Sequence, residues 1–344
     1  MSSFKPCWSL LSALIMNNKY IVPLNRPLYM ALDKKNLLIR SLSGLVYVAL
    51  IVSSLLWENP LLRILLFSFF TGAMIVEYNL LTKVNRLHPF RTTLDVIASV
   101  CAVLSPYCFF NPDLYLVGVA LIFFYLFYIF YILARTIFSD LEKGAVRSIG
   151  NVLVGQLYIT LPMVLTSLFS NLMGGTVILF LFVILWVNDT GAYLVGSLFG
   201  KHKLYPAVSP KKSVEGLVGG LVLSILVGAL FGYFSTGIAD CCFGSFGFSP
   251  LSRTDIIVGG GDRLMEALSK VIFALLIVVL GTLGDLFESV LKRQAKVKDS
   301  GNIIPGHGGV LDRLDSYLFA SYILLFFSLS RLCLCCSKWY LIAL

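Results

Sequence analysis

VIFALLIVVLGTLGDLFESVLKRQAKVKDSGNIIPGHGGVLDRLD, residues 271–315, sets the class of this protein. It opens as an apolar run, passes Asp285 and turns into a compact polar island. Asp312 and Asp315 then open the next apolar run. Between those carboxylates lie Lys292, Arg293, Lys296 and Lys298, followed by the turn Pro305-Gly306-His307-Gly308-Gly309. Carboxylates suited to a metal, cations suited to phosphates and glycines that let backbone approach a ligand are packed between two segments of membrane length. This stretch is the expected reaction centre.

Working outward, the chain of 344 residues is 58% hydrophobic and 13% charged, with mean hydropathy +0.88. Soluble domains carry about 25% charged residues. The predicted fold class is therefore all-α, a polytopic integral membrane protein with about nine transmembrane helices. The segments fall near 40–57, 61–82, 94–110, 114–134, 149–169, 175–196, 214–236, 265–287 and 315–336. Pro106 in the third and Pro162 in the fifth leave room for a tilted or broken helix.

With the amino terminus in the cytoplasm, only Arg63, Arg253, Arg263, Lys270, Arg331 and Lys338 of the 27 Lys and Arg fall outside. That satisfies the positive-inside rule. The net charge of +9 then speaks first to orientation and anionic lipid, and second to phosphorylated substrates. No continuous basic stripe suits nucleic acid. The expected location is the cytoplasmic (inner) membrane, multi-pass.

Three regions follow: a cytoplasmic extension over 1–36, membrane helices over 37–187, and a catalytic membrane region over 188–344 with cytoplasmic loops 197–213 and 288–314. Residues 1–29 read as an extension or a misplaced start, because the segment from Met30 is a complete lead into a first span. Leu10–Met16 is too short for a cleaved signal peptide. The eight cysteines have no metal spacing and suggest no disulfide framework.

Asp285, Glu288, Ser289 and Lys292 share one helix stripe at i, i+3, i+4 and i+7. Asp312 and Asp315 lie one turn apart where the next helix begins, a place that favours negative charge. Carboxylates on rigid elements suit a hard ion such as Mg²⁺ accompanied by substrate phosphates. Capping, or pairing with Lys292, Arg293 and Arg313, is the plainer explanation. It serves Asp315 better than Asp285, because a carboxylate at the bilayer centre costs about 2.5–3.5 kcal/mol. The amides of Gly308 and Gly309 could cradle phosphate oxygens. His307 is either a backbone-bonded loop residue or a contact to phosphate or leaving group.

A second cluster, NDTGAYLVGSLFGKHKLYPAVSPKKSVEGLVGG at 188–220, places Asp189 inside span six, with Thr190-Gly191 predicting a local break. Lys201, Lys203, Lys211 and Lys212 add positive charge. Ser209-Pro210 predicts a turn, and Ser213 with Glu215-Gly216 a helix start that would welcome phosphate. A loop that only sets topology would explain the lysines but not Asp189. Glu77 and Asn79 also lie at membrane depth, where Glu77 is either a proton or ion group or paired with a buried partner. Both polar loops face the cytoplasm and can form one site, open to a soluble nucleotide and a lipid headgroup.

The pattern S-x-L-K-R-x-x-x-x-K-D-x-G-x-x-x-P-G-H-G-G-x-L-D-R-x-D over 289–315 resembles the signature of the phosphatidate cytidylyltransferase family, the CDP-diacylglycerol synthases. So do Gly284-Asp285-Leu286 with Glu288-Ser289, and Asp189-Thr190-Gly191-Ala192-Tyr193 through Ser209-Pro210-Lys211-Lys212-Ser213 to Glu215-Gly216. The close likeness covers roughly 188–315; the amino-terminal half is similar only as a stack of helices. The resemblance implies that CTP and phosphatidate give CDP-diacylglycerol and pyrophosphate. It implies Mg²⁺ at Asp285 and Asp312, with a place for a monovalent cation such as K⁺. Lys292, Arg293, Lys298, Lys211 and Lys212 would neutralise phosphates, Arg313 would do the same or orient Asp312, and Asp189 would join the catalytic set. Ser209, Ser213, Glu215, Ser289, His307, Gly308 and Gly309 would contact substrate. A homodimer is allowed but not required. The alternatives are an ion-coupled transporter, and a CTP-dependent enzyme acting on another lipid such as an isoprenoid alcohol or ether lipid.

Overall fold

Prolines and asparagines punctuate the apolar runs and mark three of the helix starts, at Pro60, Pro89 and Pro112. The computed structural model describes residues 34–57, 59–82, 89–137, 145–234, 261–304, 306 and 308–325. Helix α1 (Lys34–Leu56) leads to α2 (Pro60–Thr82), whose first turn has Pro60 and the Asn59 side chain accepting the Leu61 amide at 3.0 Å. Helix α3 (Pro89–Phe110) absorbs Pro106 without a break. After it, Asn111 caps a 3₁₀ turn (Pro112–Leu114) that feeds α4 (Tyr115–Ile137). Helix α5 (Ala145–Gly155) passes through a π-helical turn (Gln156–Thr160) into α6 (Leu161–Met173). Pro162 lacks an amide, and the irregularity expected in this span is that π turn.

Helix α7 (Gly175–Phe199) runs unbroken through Asp189, so the break predicted at Thr190-Gly191 is not there. Thr190 instead bonds back to the Trp186 carbonyl at 2.8 Å. The small residues serve close packing. A Cβ on Gly191 would lie 3.0 Å from Gly220 Cα, and one on Gly220 would lie 2.6 Å from the Asn188 carbonyl oxygen. Glycine thus lets α7 and α8 (Val214–Phe234) approach backbone to backbone, as small residues do between membrane helices.

The loop predicted at 197–213 is shorter than expected. It contains an antiparallel hairpin, β1 (Lys203–Tyr205) and β2 (Ser209–Ser213), an addition to the all-α expectation. Ser209-Pro210, predicted as a turn, lies in β2, where Pro210 needs no ladder donor on a two-stranded edge. Helix α9 (Gly261–Ala295) extends past 288, and α10 begins at Leu311 rather than 315 (Leu311–Ala320), so the second polar loop spans 296–310.

Seven helices among the described residues are long and apolar enough to cross a membrane, and α1 adds a shorter apolar run, Ser41–Leu56. The chain is a multi-pass helical membrane protein. The ninth expected segment, 315–336, has a turn at Ser321, and its part after 325 lies outside the described residues, as do Cys7, Cys241, Cys242, Cys333, Cys335 and Cys336. Cys101 and Cys108 are free thiols. One core joins Phe67, Met74 and Tyr78 of α2 to Phe169, Ile178, Phe182 and Tyr317. Phe182 and Tyr317 stack with centroids 4.3 Å apart, and the Tyr317 and Thr166 hydroxyls meet at 2.6 Å.

Two of the charged groups inside this bundle, Asp95 and Arg63, are matched to partners. Asp95 accepts from Asn79 at 2.9 Å and from the Tyr128 hydroxyl at 2.6 Å. Arg63, only 6% exposed, donates to the carbonyls of Trp57 and Ser170. It thereby sets a cation against the carboxyl-terminal ends of two helices.

Candidate active site

Helix α9 carries its acids and lysine on one stripe, and the stripe meets the hairpin on one side and α10 on the other. Lys212, on β2, forms an ion pair with Asp285. Ser289, one turn on, donates to Asp285 Oδ1 at 3.3 Å. Lys292 binds Glu288 and reaches Asp312 Oδ1 at 2.8 Å, bridging α9 to α10. Asp312 Oδ2 accepts the amides of Ser300 and Gly309, each at 2.8 Å. Burial works to raise the Asp312 carboxyl. Its hydrogen bonds to Glu288, Lys292 and the Gly309 amide outweigh that effect and hold it below the usual range.

Asp285 lies within electrostatic reach of both Asp189 and Asp315. Five carboxyl groups, those of Asp189, Asp285, Glu288, Asp312 and Asp315, therefore share a small region with the ammonium groups of Lys212 and Lys292. Two cavities open from it on either side of Asp189. One of about 370 Å³ is lined by Asn188, Asp189, Ser197, Lys211, Lys212 and Thr282. The other, about 290 Å³, combines the aromatic rings of Tyr47, Phe182 and Trp186 with Asp312, Arg313 and Asp315, and the Tyr47 hydroxyl donates to the Arg313 carbonyl at 3.2 Å.

The remaining expected residues fall into distinct places. Ser213 caps α8 by accepting the Gly216 amide at 3.1 Å. Glu215 clasps the hairpin, accepting the His202 amide and meeting its ring nitrogen Nδ1 at 2.6 Å. Arg293 donates to the Val208 carbonyl at 3.2 Å, tying α9 to the hairpin. Ser209 sits opposite Tyr205 in the sheet. Lys201 and Lys203 are exposed beside it, Lys298 is exposed in the 296–310 loop, and Arg313 is exposed on α10. His307 lies outside the described residues. Gly308, at φ +85°, has no room for a side chain, since a Cβ would meet Asp312 Oδ2 at 2.7 Å. The amides of Gly309, Val310 and Leu311 already donate to protein carboxylates.

One residue escaped the sequence reading, and another was read with two alternatives. Tyr158, in the π turn, is 4% exposed with an unpartnered hydroxyl, packs on Phe287 and Phe319, and lies near Asp315, Glu288 and Asp285. No sequence signal marks it. Glu77 bonds to the loop before α10, so of its two readings the buried partner is the one observed. Its depth in an apolar span was the only clue.

Could these groups hold a divalent ion? No three His, Cys, Asp or Glu side chains among the described residues converge as a ready-made metal site. Mg²⁺ does not need one, because it is commonly held by one or two carboxylates with substrate phosphates and water completing the shell. Asp285 and Asp312 supply hard oxygen donors now facing lysine ammonium groups, and Glu288 Oε1 is buried without a partner. Acids outnumber cations here, and the donor chemistry fits Mg²⁺.

A model of the Cytidylyltransferase family matches residues 38–330, a range that takes in both polar clusters and nearly every described helix. The chain belongs to the cytidylyltransferase family. Curated relatives called phosphatidate cytidylyltransferase include those of Staphylococcus saprophyticus and Staphylococcus aureus, each 42% identical over 142 residues, and of Staphylococcus haemolyticus, 39% identical over the same length. Each likeness covers 41% of this cytidylyltransferase-family chain and 45% of the relative.

Proposed function

We propose that this chain transfers the cytidylyl group of CTP to the phosphate of phosphatidate at the cytoplasmic face of the inner membrane. A phosphatidate phosphate oxygen forms the new bond to the α-phosphorus of CTP. The bond from that phosphorus to the β-phosphate bridge breaks, and pyrophosphate leaves with the electron pair. The attacking oxygen is already ionised near neutral pH, so no strong general base is required. The work left to the protein is alignment and charge stabilisation.

The observation that carries this reading is the meeting of Asp285–Lys212 and Lys292–Asp312 between two cavities of different character. The cavity with Lys211, Lys212 and Ser197 suits the triphosphate of a nucleotide arriving past the hairpin. The amphipathic one, with Tyr47, Phe182 and Trp186 beside Arg313, suits a lipid whose phosphate turns toward Arg313. Asp285 and Asp312 would hold Mg²⁺, which when bound neutralises phosphate charge and fixes the phosphates relative to one another. Glu288, Asp189 and Asp315 leave negative charge for a monovalent cation such as K⁺. Lys212 and Lys292 hold the carboxylates apart and are free to turn to phosphate oxygens as the ligands enter.

The test is synthesis of CDP-lipid from labelled CTP by membranes containing the protein. Activity should require phosphatidate and Mg²⁺. Asp285→Asn and Asp312→Asn should each lower kcat by about 10²–10³-fold or more, the scale of losing one preorganised electrostatic group, with insertion unchanged. Wild-type rates in either variant would overturn the metal assignment. Turnover with an isoprenoid alcohol or ether lipid in place of phosphatidate would redirect the substrate assignment.

A further inference from the structure

Helix α2 sends one acidic side chain into the loop that joins α9 to α10. Glu77 is 2% exposed, and its donors Ser300, Val310 and Leu311 lie more than two hundred residues along the chain. Its Oε1 accepts the Val310 amide at 3.0 Å, while Oε2 accepts the Leu311 amide at 2.8 Å and the Ser300 hydroxyl at 3.2 Å. Two of these donors belong to the start of α10, where backbone amides have no intrahelical partner. A carboxylate from another helix thus caps α10, in the position a phosphate takes elsewhere.

The same loop residues are gripped from two sides. Ser300 gives its amide to Asp312 and its hydroxyl to Glu77. Gly309 gives its amide to Asp312, while a Cβ on Gly309 would come within 2.5 Å of Glu77 Oε2. A Cβ on Gly301 would lie 2.4 Å from Glu77 Oε1. The loop is therefore moulded on two carboxylates, one turned to the shared site and one turned away from it.

We infer that Glu77 is a positioning residue for Asp312. By fixing Ser300, Gly309 and the first turn of α10, it sets the direction in which Asp312 faces Lys292 and the phosphates. It contacts neither substrate nor metal. The inference rests on the proposed role of Asp312, and the mechanism is local: a carboxylate accepts on both oxygens, whereas the glutamine amide offers one acceptor and turns an N–H donor against a backbone amide.

The test uses the full-length protein in membranes and in detergent. Glu77→Gln should insert normally, lower kcat and raise the Mg²⁺ concentration for half-maximal rate by about 10–100-fold, as loss of a ligand-supporting group does. Ser300→Ala, which keeps the backbone bond to Asp312, should shift the same constants in the same direction by less. A merely structural role would lower the yield of folded protein and leave the Mg²⁺ dependence of the folded fraction unchanged; that result would overturn the inference.

A second measurement needs no turnover. Thermal midpoints without ligands should show Gly301→Ala strongly destabilising in wild type and nearly harmless in Glu77→Ala, because the added Cβ then has nothing to strike. Additive losses would overturn the contact on which the inference stands. If the wild-type protein makes no CDP-lipid while this coupling is found, the proposed function has failed and the clamp itself has not.

Discussion

Lys292 is the residue on which the site geometry turns, because one ammonium group bridges Glu288, which is fully buried, and Asp312. Removing it leaves two carboxylates facing each other at short range, where like charges are costly. Lys292→Met should therefore lower CDP-lipid synthesis by about 10²–10³-fold, and Lys292→Arg should rescue little, since a planar fork cannot replace a compact point charge. Initial rates with saturating CTP would check both. At this scale the sequence was informative where neighbours in space are also neighbours along the chain. Asp285, Ser289 and Lys292 were legible from helical spacing, and Asp312 from the polar island around it. Glu77 was legible as an acid at membrane depth, but its partners were not, because they lie more than two hundred residues along the chain. Tyr158 was hidden because only the π turn aims it.

At the scale of elements, the glycines of α7 and α8 carry the lesson. Thr190-Gly191 looked like a break, since glycine weakens a helix in water. In a bundle it is instead the residue that permits contact, and the helix continues. Gly220→Val should cost about 1–3 kcal/mol by overpacking, read as a lowered thermal midpoint in detergent, because its Cβ would be driven into the Asn188 carbonyl. Gly150→Ala is the contrasting variant: nothing lies within 4 Å of the added atom, so stability should hold or rise slightly. The hairpin was missed for a different reason. Its strands of three and five residues are too short, and too rich in lysine and proline, for alternation to show. What secures them is the Glu215–His202 clasp and the Arg293 bond to Val208, neither of which has a spacing signature.

Across the whole molecule, apolar segment length fixed the helical class and most of the boundaries, while charge distribution supplied an orientation. The hairpin and the 296–310 loop lie at one end of the bundle, and Asp113 lies at the other end of α3. In a background without reactive native cysteines, Lys203→Cys and Val297→Cys should resist a membrane-impermeant thiol reagent added to intact cells. Asp113→Cys should react. Labelling at 203 from outside would invert the topology.

The clamp on the last described helix also sets an order of events during synthesis. Glu77 leaves the ribosome with α2, and the Ser300 hydroxyl that it binds follows 223 residues later. At about 5–20 residues per second that interval lasts roughly 10–45 s. For that time an acid sits in a membrane-bound nascent chain without the donors that will hold it. The centre cannot close until α10 has been translated, and a chain stopped short of it would hold its earlier helices but no assembled site.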